Sequence, residues 1–405
     1  MAVEIGVPVR PHRRNWLLPL LQEAVVPLLA ILTALIIGAV IIWFSAHSAH
    51  DTRLQTVGKA YHGLFMGAFG GWNRISDTLV EATPYIFAGL AVALGFKCGL
   101  FNIGAEGQLY LGSITSAAVG FGVHGLPTII HLPLAILAGV IAGGLWGAIP
   151  GYLRARTGAH EVINTIMLNY IAAQLLDYLI LKPLRDTHAS SQRTPFILGS
   201  AALPRLIGPR TNPSLSGGNT YTPLFVTKNP TFDLRIHVGF LLALLAVWGV
   251  WWFLRRTTTG FEIRTVGSNP KAARYAGMSV TRSFVLTMFL SGALAGMAGV
   301  TQVLGVEYNV KSLFSSGYGF DSIAVALLAK SNPIAIIPAA IFWGALNNGK
   351  GLMQSETGAA ISSDLIRIIQ ALVIMFVAAD QIVRWIYRLR QRGGGTAIFS
   401  RGWGQ

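Results

Sequence analysis

The chain has 405 residues, 53% of them hydrophobic and only 12% charged, where a soluble domain carries roughly a quarter charged residues. That excludes an ordinary water-soluble protein, because most of the polar surface such a protein needs is missing. The formal net charge of +15, from 31 Lys and Arg against 16 Asp and Glu, does not point to nucleic acid: the basic residues lie between apolar blocks and at the termini, as they do when they hold membrane helices against the cytoplasmic face.

These features describe an all-α polytopic membrane protein in contact with the lipid bilayer. Its 46 Gly and 18 Pro suit membrane helices, where small residues let backbones approach closely. About 20 apolar residues cross a hydrocarbon core roughly 30 Å thick. About ten runs of that order occur, at 24–44, 84–101, 105–123, 132–152, 162–181, 237–254, 283–306, 320–332, 333–353 and 365–386. Arg10, Arg13 and Arg14 before the first run and Ala46-His47-Ser48-Ala49 after it imitate a signal peptide. The run is too long for a signal core, so an uncleaved span is expected. The single cysteine, Cys98, lies in an apolar stretch and reads as a packing residue.

Ten crossings from a cytoplasmic N-terminal arm (1–23) place Arg154 and Arg156, Arg255 and Arg256, and the C-terminal tail (387–405) on the cytoplasmic side, in agreement with the positive-inside rule. Residues 24–386 then form one transmembrane domain, with an outer loop at 182–236 and a cytoplasmic loop at 255–282. The outer loop holds seven basic residues between Lys182 and Arg235, against the rule, but long segments translocate with less regard to charge. Its Pro195, Pro204, Pro209, Pro213 and Gly217-Gly218 suggest a small outer cap.

Each half of the chain carries a glycine-rich polar interruption, Gly95 to Gly107 in the first and Gly317 to Asp321 in the second. Irregular backbone at membrane depth is tolerated only inside protein or beside water, so such interruptions point to a transport site. Gly139, Gly143, Gly147 and Gly151 form one ridge suited to close helix packing, and Gly292 and Gly296 repeat the spacing. Polar groups at membrane depth are Asn102, Glu106 and Gln108, then Asn164 and Asn169, then Asp321 and Gln370. Two readings are open for each: lining of a solute pathway, or a hydrogen bond between helices. Glu161 reads as an acid at a helix N-terminus.

The loop at 255–282 contains a well-marked short helix. Asn269 is its cap, Pro270 suits the first position, Ala273, Arg274 and Tyr275 lie in its body, and Gly277 suits its end. From spacing alone it is either a docking element for a soluble partner or a well-formed surface loop.

Several motifs are decoys. Gly344-Ala-Leu-Asn-Asn-Gly-Lys350 has the Walker A spacing, but Gly351 stands where Ser or Thr must reach Mg²⁺, so no ATP site is expected in this chain. Gly317-x-Gly319 lacks the third glycine of a dinucleotide loop, and His124 and His131 make a weak metal signal. No metal ligand set and no catalytic constellation stand out.

Four stretches carry a resemblance: Phe101-Asn-Ile-Gly-Ala-Glu-Gly-Gln108, Glu161-Val-Ile-Asn-Thr-Ile-Met-Leu-Asn-Tyr170, Gly267-Ser-Asn-Pro-Lys-Ala-Ala-Arg-Tyr-Ala-Gly277 and Gly317-Tyr-Gly-Phe-Asp-Ser-Ile-Ala-Val-Ala-Leu-Leu328. From about residue 60 to 385 the chain resembles the ABC importer permeases of the branched-chain amino acid, ribose and nucleoside group, and most of all the nucleoside or simple-sugar branch. The resemblance implies a type II-like importer fold in a bacterial plasma membrane with both termini cytoplasmic. It also implies a second, homologous permease, ATP-binding subunits that use ATP and Mg²⁺, and an extracytoplasmic solute-binding lipoprotein. It makes 268–277 similar to the family's coupling helix. Ser322, where the pattern suggests Gly, and Ala329-Lys330-Ser331 before Asn332-Pro333 depart from it.

An ion-coupled secondary transporter also has broken helices, but it has no need of the capped helix. A membrane-embedded enzyme needs a cluster of acids, histidines or a nucleophile, which the sequence does not present.

Overall fold

The computed structural model describes residues 17–45, 52–208, 223–226, 234–312, 314–315, 317–358 and 361–388. Its helices are α1 (Leu17–Ser45), α2 (Arg53–Phe69), α3 (Trp72–Lys97), α4 (Ala105–Gly122), α5 (Thr128–Thr157), α6 (Glu161–Leu181), α7 (Val238–Arg256), α8 (Thr258–Ser268), α9 (Pro270–Tyr275), α10 (Val280–Gln302), α11 (Tyr318–Leu328), α12 (Pro333–Glu356), α13 (Leu365–Ala378) and α14 (Asp380–Ile386). Apart from a parallel pair of two-residue strands, Ile207–Gly208 and Phe225–Val226, the described residues form an all-helical protein.

Five of these helices are long and apolar enough to cross a membrane: α1 from Val25, α3, α5, α7, and α10 with the π-helical turn Val303–Glu307 that extends it. Exposed apolar stripes recur at helical spacing, Leu28, Leu32, Ile36 and Val40 on α1 and Leu241, Leu245, Trp248 and Trp252 on α7. Stripes of this kind are costly in water and ordinary against lipid.

Every expected apolar run falls on a helix, but several bounds differ. Helix α3 begins at Trp72 rather than 84, because its first turns carry Arg74, Asp77 and Glu81 and do not register as apolar. The expected run 320–332 ends at Leu328, where Lys330 and Ser331 take left-handed backbone conformations (φ 49° and 53°). The run 365–386 is broken at Ala379. Helices α2 and α8 were not anticipated. The first has too polar a composition to read as a span, yet Gly63 and Gly67 let it lie directly on the backbone of Met353 and Gly349 in α12.

The glycine ridge does what its spacing suggests. A Cβ on Gly143 would stand 2.6 Å from the carbonyl oxygen of Gly292, and one on Gly147 would stand 2.9 Å from the Gly292 Cα. Gly139 faces the carbonyl of Gly112 in α4 and the side chain of Val300, and Gly151 faces Met288 and the carbonyl of Phe284. Three helices, α4, α5 and α10, thus meet backbone to backbone. Without a hydrophobic difference between lipid and side chain, such close packing is what holds membrane helices together.

The loop after α6 is stitched to the bundle by backbone hydrogen bonds from Thr194 to Val310, Ile197 to Tyr308, Leu198 to Gly120 and Leu203 to Leu304, of 2.8–2.9 Å. Pro209, Pro213, Gly217 and Gly218, like the arm 1–16 and Arg390 and Arg392, lie outside the described residues.

Candidate functional site

The two interruptions meet. Glu106, in the first turn of α4, accepts a 2.6 Å hydrogen bond from the amide of Gly319 at the start of α11. A Cβ on Gly319 would collide with the backbone of Glu106, so the helix ends touch only because residue 319 is glycine. The carboxylate also complements the positive end of the α11 dipole. Ser322, where the family pattern suggests glycine, is fully buried and donates a 2.6 Å bond back to the Gly319 carbonyl.

Besides Glu106, the six other polar candidates divide into two groups and one outlier. Asn102 and Gln108 pair their amides reciprocally at 2.9 and 3.1 Å, Asn102 donates to Ser291 at 2.8 Å, and it accepts from Gly104 N–H at 3.0 Å. Asn169 accepts from Gly107 N–H at 2.8 Å and donates to the carbonyl of Ile103 at 2.9 Å. Asn102 and Asn169 supply partners to the irregular backbone at Gly104 and Ile103, and Gln108 braces Asn102, which is how irregular chain is accommodated at membrane depth.

The second network joins α13, α12, α3 and α11. Gln370 donates to Asn347 at 3.2 Å, Asn347 to the Tyr85 hydroxyl at 2.7 Å, and Tyr85 to Asp321 at 3.3 Å. Trp343 donates to the same Asp321 oxygen at 3.2 Å. Beside it Tyr318 donates to Glu81, and the Tyr85 and Tyr318 rings meet edge to face at 5.1 Å. Asp321, Glu81 and Asn347 are half-buried, not sealed. The outlier is Asn164 on α6, half-buried, with no hydrogen-bond partner for its amide nitrogen among the described residues.

Sequence reasoning missed Glu81, Tyr85, Tyr318, Trp343 and Asn347. Tyr85 and Trp343 sit inside apolar runs, and Glu81 lies just before the first residue of its run. Asn347 belongs to the Walker-like stretch, which is helical: Gly344 packs on Thr78 and Ala82, Gly349 on Leu64, and Asn348 donates to Gly67, Arg74 and Thr78. Gly344, Gly349 and Asn348 there serve helix packing. His131, similarly, is buried between Ser200 and the Val119 carbonyl, and no cluster of metal-binding side chains occurs among the described residues.

The capped helix forms as its residues suggest. Asn269 accepts from Ala272 N–H at 3.0 Å, Pro270 occupies the first turn, and Gly277 takes φ +80° just beyond the end. Ala273 is fully buried in a cluster with Leu94, Leu254, Ile263, Val266 and Met288, whereas Lys271, Arg274 and Tyr275 are exposed, Tyr275 at 96%. One face therefore seats the helix on the bundle and the other is presented outward. The end of α8 touches the first interruption: Gly267 lies on the backbone of Lys97 and Cys98, and a Cβ on Gly99 would stand 3.3 Å from the Gly267 carbonyl oxygen.

The described helices, five of them long and apolar enough to cross a membrane, are those of a multi-pass membrane protein. The model of the branched-chain amino acid transport system / permease component family matches residues 74–378, and the chain belongs to that family. It is 40% identical to the guanosine ABC transporter permease protein NupP of Bacillus subtilis, over 92% of this chain and 98% of that protein. It is 34% identical to the glucose ABC transporter permease protein TsgB13 of Haloferax volcanii, over 88% of each. It is 33% identical to the nucleoside ABC transporter permease protein NupB of Lactococcus lactis, over 89% of this chain and 92% of that protein. No solved structure matches significantly. As a permease component the chain is a transport subunit of a multi-component system, not an enzyme.

Proposed function

We propose that the chain is the membrane-spanning permease of an ATP-driven importer of nucleosides, crossing the membrane about ten times in a type II-like arrangement with both termini cytoplasmic. The observation that carries the solute is the 40% identity to a guanosine permease over nearly the whole of both chains. The half-buried carboxylates of Glu81 and Asp321 and the amide of Asn347 support it: they can bond the N–H groups of a heterocycle and sugar hydroxyls, with the buried Tyr85 and Tyr318 hydroxyls holding the carboxylates in place. The glucose permease relative keeps a simple sugar as the second reading.

In this reading ATP-binding subunits hold ATP and Mg²⁺, a second, homologous permease completes the pathway, and an extracytoplasmic lipoprotein delivers solute. The outward face of α9 docks on the ATPase. Its movement passes through Gly267 to the backbone at Lys97–Gly99, across the clamped stretch 102–104 to Glu106, and through Gly319 to α11 and Asp321. Asn102, Gln108 and Asn169 act as the clamp along this line, and Glu106, Asp321 and Gln370 act at the pathway wall. Asn164 is assigned to the pathway on its unpaired amide alone.

The test is uptake of labelled guanosine by cells expressing the chain with the subunits encoded beside it, in the presence of excess unlabelled adenosine or glucose. Competition by adenosine and not by glucose is the expected result; competition by glucose alone replaces the nucleoside with the sugar.

A further inference from the structure

Where α1 passes the ends of α3, α7 and α8, the bundle leaves a half-open cavity of about 610 Å³. Lys97, Arg255 and Arg264 line it together, Lys330 adds a fourth positive charge, and no Asp or Glu is among the described lining residues. Three side chains of one sign converging from three helices raise the free energy of the fold unless an anion joins them.

The rest of the lining is largely apolar, with Leu28 of α1 and Trp251 of α7 among it, and the Arg255 guanidinium lies 5.6 Å from the Trp251 ring centroid. From the cavity the exposed α1 stripe runs on through Leu32, Ile36 and Val40, and α7 offers Trp252, Trp248, Leu245 and Leu241. A soluble anion would use the cations alone. A molecule with a phosphate at one end and hydrocarbon at the other would use all of these features.

We propose that this cavity holds the headgroup of an anionic phospholipid of the cytoplasmic leaflet, its phosphate on Lys97, Arg255, Arg264 and Lys330 and its acyl chains along α1 and α7. The proposal rests on the membrane orientation above but not on the transported solute. Because Arg264 belongs to α8 and Lys330 to the left-handed turn that ends α11, the bound headgroup ties the coupling loop to the helix that carries Asp321.

The test is native mass spectrometry of the full-length chain in detergent, titrated with phosphatidylglycerol, with phosphatidylcholine or with inorganic phosphate. Saturable retention of phosphatidylglycerol is expected, undisturbed by phosphatidylcholine or by millimolar phosphate. Arg255→Gln with Arg264→Gln should weaken it roughly thirty-fold, at about five-fold for each basic side chain near the membrane surface. Arg156→Gln with Arg282→Gln, which removes equal charge elsewhere, should leave it unchanged. If the first pair does not fold, Arg264→Gln alone carries the comparison at about five-fold. Equal retention by the cavity variants, equal loss in the control pair, or displacement of the lipid by inorganic phosphate overturns the proposal. None of these readouts depends on transport, so a failed uptake assay leaves the question separate.

Discussion

The carboxylate of Glu106 receives the amide of Gly319 at 2.6 Å, a hydrogen bond that joins the interrupted segments of the two halves of the chain. Removing the acceptor leaves a buried donor unpaired, at a cost of about 1–3 kcal/mol. Glu106→Ala should therefore lower uptake by about ten-fold or more with assembly preserved, and Glu106→Gln, which keeps an acceptor, should retain most activity. Initial rates and subunit co-purification check both; an Ala variant that transports like the parent would show that the junction does not matter.

Asp321 holds two donors, Tyr85 and Trp343, that no other described side chain is shown to accept from. Asp321→Ala should reduce uptake roughly ten-fold, the scale of hydrogen bonds to a charged group, while the complex still assembles. Tyr85→Phe should have a smaller effect in the same direction. Unaltered transport kinetics in both would return the network to helix packing.

Gly143→Leu forces a side chain into the Gly292 backbone, and overpacking of this severity costs about 3 kcal/mol or more. The yield of folded protein in the membrane should collapse. Gly249→Leu, on α7 with nothing within 4 Å of its would-be Cβ, should be tolerated. Similar yields for the two would place the α5 ridge against lipid.

The helices and the glycine ridge were legible in the sequence because both rest on local spacing. The apolar runs mark where chain can meet hydrocarbon, and four-residue glycine spacing marks a face without side chains. The candidate site was legible only in part. Asp321, Glu106 and Gln370 stand out as polar groups in apolar surroundings. Tyr85 and Trp343 do not, since an aromatic ring in an apolar run is ordinary until a carboxylate from another helix is placed beside it. That placement depends on contacts between residues such as Tyr85 and Asp321, far apart in the chain. Helix α2 escaped notice because its composition is too polar to read as a span, and its packing glycines, Gly63 and Gly67, are legible only once α12 is laid against them.

The capped helix has two faces with different expected phenotypes. Arg274→Glu, on the exposed face, should uncouple ATP hydrolysis from uptake while the permease stays folded. Ala273→Asp, which buries a carboxylate among Leu94, Ile263 and Met288, should unseat the helix and lower stability as well. Parallel measurement of ATPase rate, uptake and thermal midpoint separates them; coupled, wild-type behaviour of Arg274→Glu would remove the exposed face from the mechanism.

His237 caps α7 by accepting from Gly239 N–H at 3.1 Å, which requires a neutral ring nitrogen. Its burial, with Arg205 and Arg235 nearby, lowers its pKa to about 4, below the roughly 6.5 of an exposed histidine. The native state thus favours the neutral ring. The stability this confers is complete above about pH 6.5, falls by about 1 kcal/mol at pH 5.5 and by about 3 kcal/mol below pH 4. His237→Asn keeps an acceptor and cannot titrate, so its unfolding midpoint should depend less on pH over that window. Equal pH dependence in variant and parent would assign the acid limb elsewhere.

The most direct test of ATP-driven import is guanosine uptake in the complete complex under two treatments, ATP depletion with ion gradients maintained and gradient collapse with ATP maintained. The account predicts uptake abolished by the first and unaffected by the second. Uptake that survives ATP depletion and disappears with the gradient would contradict it.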